Sequence, residues 1–287
     1  MTPDIKIIVC YHKPGKYISN DVYLPVHVGK EISNFDLPIQ GDNEGENISS
    51  LNYTYCELTG LYWAWKNIKA DYIGLCHYRR FFTFEKSFIH GFIHRMYATA
   101  LNAFQAFVSF PKSYSSLQEI IVNNEDALVK KALKEADKIK NYIRNHNDAK
   151  IIALRPMSMG LTNIVSHFST VSGAHHIEIV KNIVKSKYPS IYPSFESVIF
   201  SNKLHLGNMI ICEKSVFNQY CSFVFSVLEE HRRILIEDGW YKDLKEYSIS
   251  RLSGYIAEIL TSVFVSYIEK TEGRRFVKLL NLLRAKI

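Results

Sequence analysis

The stretch Asp71-Tyr72-Ile73-Gly74-Leu75-Cys76-His77-Tyr78-Arg79-Arg80-Phe81-Phe82 constrains the fold more than any other part of the chain. A short apolar run of Tyr, Ile, Leu and Cys predicts a buried strand of an α/β sheet, and it ends abruptly in His-Tyr-Arg-Arg. That places a polar cluster at a strand's carboxyl end, just where open α/β sheets bind their ligands. Two adjacent guanidiniums suit the paired oxygens of a phosphate or diphosphate, so the cluster reads as the floor of an anion site. The alternative is a pair of surface arginines neutralised by nearby carboxylates.

At 287 residues the chain can bury a large core, as one large domain or two small ones. Apolar residues make up 47% and charged residues 22%, which excludes bulk disorder. The net charge of +7 favours an anionic partner: a nucleotide diphosphate, a phospholipid headgroup or nucleic acid. Eighteen Tyr and seventeen Phe suit sugar or base stacking as well as core packing. The five cysteines, Cys10, Cys56, Cys76, Cys212 and Cys221, are odd in number, form no C-x-x-C pair and follow no secretory leader. They predict small apolar fillers in a reduced, cytoplasmic protein, without a zinc knuckle. No apolar run reaches the length needed to span a bilayer.

Residues 5–10 predict the first strand, followed by Tyr11-His12-Lys13-Pro14-Gly15. Tyr11 and His12 are candidates to touch a base or ribose, or else part of a plain turn. No Gly-x-Gly-x-x-Gly or Walker loop follows, which counts against dinucleotide oxidoreductases and P-loop kinases. The polar loop at residues 39–50 carries Asp42, Asn43 and Asn47, side chains that either close turns on their own backbone or meet sugar hydroxyls. Between residues 55 and 68 the positions Leu58, Leu61, Tyr62, Trp65 and Ile68 recur at helical spacing, with Glu57, Thr59 and Gly60 at the crevice end. Residues 5–82 are thereby expected to form a βαβ-like half.

Residues 88–110 contain no acid and six phenylalanines or tyrosines, which fits a buried helix or an aromatic surface for a membrane or lipid-linked acceptor. An amphipathic surface helix is expected over residues 126–147 and a strand over 149–156. Helices follow over 174–188 and 215–230, with a strand at 204–212 between them, interrupted by Gly207-Asn208, where Asn208 can bridge hydroxyls. A later helix buries Ile249, Leu252, Ile256, Ile259 and Val263 while Arg251, Tyr255 and Glu258 share another face. That face offers an Arg to a diphosphate and a carboxylate to an acceptor, or else holds an ordinary intrahelical ion pair. Five cations and no acid among the leucines of residues 274–287 predict a basic amphipathic helix, either for an anionic membrane surface or docked on the body.

Asp42-Asn43, Asn47-Ile48-Ser49, the block from Tyr55 to Asn67 and the block from Gly74 to Phe82 resemble a bacterial family of capsule, exopolysaccharide and O-antigen glycosyltransferases, long catalogued as a domain of unknown function. Asn208-Met209, Tyr220-Cys221, Arg251, Gly254-Tyr255 and Glu258 extend the resemblance, which omits residues 85–125. It implies an α/β, GT-A-like, Rossmann-related mixed sheet flanked by helices, with a helical C-terminal part: one domain over residues 1–268 and a tail over 269–287. It further implies a UDP-sugar donor, with galactose or galactofuranose among relatives, and a polyprenyl-diphosphate-linked or other glycan acceptor at the inner face of the cytoplasmic membrane. His-Tyr-Arg-Arg stands where other GT-A enzymes carry a metal-binding Asp-x-Asp. Two options follow: Mn or Mg with His77 as the one candidate ligand, or no metal, with Arg79 and Arg80 neutralising the diphosphate.

On this basis the donor-binding candidates are Tyr11, His12, Asp42, Asn43, Asn47, His77, Tyr78, Arg79, Arg80, Asn208 and Arg251. The candidate catalytic carboxylates, in falling order, are Glu258, Asp42 and Glu57. The rival readings are a non-catalytic membrane-associated scaffold of polysaccharide assembly and a nucleic-acid-binding protein, for which no recognised module appears.

Overall fold

A computed structural model describes residues 2–86, 119–146, 148–160, 162–171, 173–239 and 250–286. Strand β1 (Ile5–Tyr11) is a β-branched run buried at nearly every position, as a strand covered on both faces must be. On one side it pairs in parallel with β2 (Tyr23–His27), which in turn pairs with β3 (Gln40–Gly41). The chain then passes through a short helix α1 (Asn52–Tyr55) and α2 (Leu58–Asn67) to β4 (Tyr72–His77), parallel to β1 on its other side. The order β3-β2-β1-β4 reverses direction between β1 and β4, which makes their carboxyl ends the topological switch point. Gly60 lets α2 lie close on the sheet, since a Cβ there would meet Val28 Cγ1 at 2.7 Å. The expected βαβ half is present.

Beyond β4 the sheet forks. Tyr72, Ile73 and Gly74 pair antiparallel with β10 (Ile210–Glu213), whereas His77 pairs across the two-residue turn Tyr78 and Arg79 with β5 (Arg80–Thr83). The His-Tyr-Arg-Arg cluster is therefore a hairpin tip, not the start of a loop. Gly74 permits the fork: a Cβ would stand 2.6 Å from Ile211 Cγ1 and 2.7 Å from the Ile210 carbonyl oxygen.

The main correction to the sequence reading is the C-terminal segment. A single 3-10 turn, Arg274–Phe276, leads into β11 (Val277–Ala285), a strand within the nine-stranded sheet of the described residues. It pairs antiparallel with β5 and parallel with β6 (Glu119–Val122) and β7 (Ile151–Leu154), and β7 completes the circuit to β10. The leucines satisfy helical and alternating periods alike. The open edges of β5 and β7 decide between them, because backbone groups buried there need partners that a helix would withhold. Leu280 and Leu283 are buried, Arg284 pairs with Glu119 at 2.8 Å, and Lys278 lies over the rings of Phe84 and Tyr142. No basic amphipathic helix exists here to carry a membrane contact. The expected boundary at 268 falls inside the helix Leu252–Thr271, and of the residues beyond it Val277–Ala285 are part of the sheet.

Helix α3 (Glu125–Asn145), capped by Asn124 accepting from the Ala127 N–H at 2.9 Å, lies against β5 and β11. The opposite layer holds α4 (Ile164–Val171), α5 (Ala174–Lys187), α6 (Tyr192–Ile199), α7 (Lys214–Glu237) and α8 (Leu252–Thr271). A small ribbon pairs β8 (Met157–Ser158) with β9 (Lys203–Leu204). All five cysteines are free thiols, and four are buried. No helix among the described residues is long and apolar enough to cross a membrane. The aromatic segment at 88–110 lies outside the described residues.

Candidate active site

A cleft of about 780 Å³ opens at the carboxyl ends of β1 and β4. Cys10 and His12 line it from β1, and His77, Tyr78, Arg79 and Arg80 from the hairpin. Glu57 comes from the start of α2, Arg251 and Glu258 from the start of α8. The far wall is Leu154 and Arg155 at the end of β7, with Leu280, Leu282 and Arg284 from β11 and Glu119 from β6.

Three turns hold these side chains in place. Among the described residues the non-glycine residues with positive φ are Cys56 (51°), Asn208 (53°) and Arg251 (62°), each in a segment bordering the cleft or contacting Glu57. Backbone strain of this kind persists where the surroundings over-determine it, and it marks functional sites. The turn Leu206–Asn208 is gripped from two sides: Glu258 Oε1 accepts the Gly207 N–H at 2.6 Å, and His77 Nε2 donates to the Gly207 carbonyl at 2.7 Å. A carbonyl only accepts, so Nε2 carries the proton.

Burial pushes the Glu258 carboxyl up to about 7, with the Glu57 charge adding and the Gly207 N–H, Arg80 and Arg251 opposing. That value suits a group exchanging a proton near neutral pH. The His12 imidazole is lowered by burial, then by Lys13, His77, Arg251 and Arg79. It meets the Tyr78 ring edge-on at 5.3 Å, and the Arg79 guanidinium packs over the same ring at 5.1 Å. Arg79, Arg80, Arg155 and Arg251 make no ion pair among the described residues. The surface-ion-pair alternative for the hairpin arginines and the intrahelical pair Arg251–Glu258 are both absent from that set.

Of the sequence candidates, His12, Glu57, His77, Tyr78, Arg79, Arg80, Arg251 and Glu258 meet in the cleft. Asn208 stands behind its wall, fully buried, donating to Glu57 Oε1 at 2.8 Å and to the Gly254 carbonyl at 3.2 Å. Asp42, Asn43, Asn47 and Tyr11 do not line it. Asp42 is buried as a staple, accepting the N–H groups of Gly29 and Lys30 at 2.8 and 3.1 Å and the Ser49 hydroxyl. Asn47 donates to the carbonyls of Asn43 and Gly45, and Asn43 donates to Glu31: the turn-closing alternative. The Tyr11 hydroxyl donates to the Lys16 carbonyl and accepts the Ile18 N–H, pinning the loop after β1. Sequence reasoning missed Arg155, Glu119 and Arg284 as cleft residues. The signal for Arg284 was its period-two spacing from Leu280 and Leu282, which puts all three on one strand face.

The donor set does not fit a divalent cation. No three His, Cys, Asp or Glu side chains among the described residues converge to hold one. His77, the one candidate ligand, offers only Nδ1, because its Nε2–H donates to Gly207, and in the rest of the lining five guanidiniums outnumber three carboxylates.

The fold is shared with a solved structure described as the WbbM bifunctional glycosyltransferase in its apo form, with a TM-score of 0.76 and 24% sequence identity. The match covers 99% of this chain and 46% of that one, so the chain spans less than half of that protein's length. No curated protein matches the sequence. The model of the family described as "Domain of unknown function (DUF4422)" matches residues 6–270, and the chain belongs to that family.

Proposed function

We propose that the protein is a glycosyltransferase that moves a hexosyl unit, galactose or galactofuranose, from a UDP-sugar to a glycan acceptor, lipid-linked as the sequence resemblance implies. One observation carries the reading: Arg79, Arg80 and Arg251, without carboxylate partners among the described residues, share a switch-point cleft with a carboxyl tuned to about 7. In this reaction the anomeric carbon–oxygen bond to the diphosphate breaks, and an acceptor hydroxyl oxygen takes its place. Charge grows on the departing diphosphate, and prearranged cations stabilise it without reorganising. Glu258 receives the acceptor proton, and Glu57 beside it raises its affinity for that proton. Tyr78 and His12, at the β1 side, flank the nucleoside. The likeness to a solved glycosyltransferase supports the reading through the fold.

The test is UDP release from a panel of UDP-hexoses in the presence of lipid-linked and free glycans. Turnover is expected with at least one UDP-hexose, and replacing Arg79 and Arg80 together by Ala is expected to abolish it in a folded protein. Near-normal turnover by that double variant removes the diphosphate role, and no UDP release from any donor with any acceptor removes the reading.

A further inference from the structure

We infer that the cleft binds its diphosphate without a divalent cation, through a row of basic side chains that crosses three strands and ends on Arg284 of the C-terminal strand. The inference rests on the transferase reading above for the identity of the anion, and on strand register for the row itself.

His77 is the register partner of Arg80 in the β4–β5 pair, and Arg80 is the register partner of Arg284 in the β5–β11 pair. Residues directly opposite in antiparallel pairs project from the same face, so the three side chains stand side by side. At roughly 5 Å per strand the row runs about 10 Å, a length suited to a diphosphate and its attached sugar. All three residues line the cleft.

Like charges directly opposite on two strands are destabilising. Here a single carboxylate offsets the pair: Glu119 accepts from Arg284 Nε at 2.8 Å, and Arg80 has no acidic partner among the described residues. A guanidinium has five N–H donors, and this contact uses one. Arg284 and Glu119 are both partly exposed, with side chains 29% and 18% accessible. The arrangement makes sense if an incoming anion supplies the missing negative charge.

The charge balance agrees. Five arginines and three glutamates line the cleft among the described residues, an excess of two positive charges, or three while Glu258 keeps its proton. A diphosphate diester, with one charge on each phosphate, matches that excess by itself. A divalent ion would enter a cleft already positive and find its oxygen donors engaged: Glu57 with Asn208, Glu119 with Arg284, Glu258 with Gly207.

Calorimetric titration of the full chain with inorganic pyrophosphate and with UDP, in EDTA and then in excess Mn, tests this. Both ligands are expected to bind in EDTA, and Mn is expected to change their affinities by less than about threefold. Arg284→Ala is expected to weaken both by about tenfold, the scale of one charge-assisted contact. Glu119→Gln, which frees Arg284 while keeping its strand intact, is expected to tighten pyrophosphate binding. Binding that appears only with Mn overturns the inference, as does a folded Arg284→Ala protein with unchanged affinities, or a Glu119→Gln protein that binds no tighter. If pyrophosphate binds in EDTA through Arg284 while UDP binds no better, the basic row stands and the nucleotide-sugar reading falls.

Discussion

Glu258 holds the backbone N–H of Gly207 at 2.6 Å, so the group with the most perturbed carboxyl in the cleft is also the one that fixes the turn beside the hairpin arginines. On the proposed function, proton exchange and anion binding are built on one piece of backbone. The carbonyl of the same residue, in the next peptide unit, accepts from His77, whose strand carries the hairpin.

Glu258→Gln keeps the shape and the contact to Gly207 but removes the proton acceptor. Turnover is expected to fall by about a hundredfold or more, with a smaller change in donor KM. In the unmodified enzyme kcat/KM is expected to rise with pH through about 7 as Glu258 ionises. The folded state holds this proton above the ordinary carboxylate range, so the group's effect on stability runs the other way. Stability declines as pH rises from the ordinary Glu range towards about 7. PH–rate profiles and urea melts of both proteins check the two slopes, and the Gln variant is expected to flatten each.

Gly207 sits at φ 76°, where an L side chain costs about 1–2 kcal/mol. A Cβ would stand 3.3 Å from His77 Nε2 and 3.7 Å from Arg80 Nη1. Gly207→Ala is expected to lower Tm by a few degrees and to raise the donor KM several-fold, because the tight contact falls on His77, the cross-strand neighbour of Arg80. Thermal melts and initial-rate kinetics measure both.

A buried polar chain runs from the core to the cleft. The hydroxyls of Tyr220 and Thr261 share a hydrogen bond at 2.7 Å, Thr261 donates to Asn208 Oδ1 at 3.1 Å, and Asn208 donates to Glu57. Thr261→Val leaves Asn208 Oδ1 short of a donor and is expected to cost about 1–3 kcal/mol by urea denaturation. Activity is expected to drop beyond what the lost stability explains, since Glu57 loses its fixed orientation.

Removing residues 277–287 tests whether the C-terminal segment is a peripheral tail or part of the sheet. The strand supplies backbone partners to β5, β6 and β7, so the truncated chain is expected to lose cooperative unfolding and near-ultraviolet circular dichroism. A fully folded truncation would contradict the sheet described here.

Three histidines outside the cleft tie stability to pH. Burial lowers His176 and His205 to about 4 and His231 to about 3, against 6.5 when exposed. The unfolded chain therefore binds these protons first as pH falls. The stabilisation is complete above about 6.5 and fades below it, by up to about 1.4 kcal/mol per pH unit for each group. Urea melts at about pH 7.5 and about pH 5 are expected to show the loss, and His231→Phe is expected to reduce it.

Sequence alone determined the elements whose information is local. The β1–α2–β4 unit follows from a β-branched run, a helical stripe and an apolar run, each legible within its own short segment, and its strand end carries His77, Arg79 and Arg80 into the cleft. The arrival of Arg251 and Glu258 in one cleft was equally legible, because residues seven apart at the start of a helix share a side. Tertiary structure decided what depended on partners distant in the chain. Residues 277–285 fit a helix or a strand by their own pattern, and became a strand because the open edges of β5 and β7 lacked hydrogen-bond partners. Asp42 and Glu258 are both acids near glycines, and only the N–H groups of Gly29 and Lys30 around one, and burial beside Glu57 around the other, made the first a staple and the second a titrating group. Arg284 entered the cleft for the same reason: local spacing sets the strand face it shares with Leu280 and Leu282, but its register with Arg80 is set across about two hundred residues of chain.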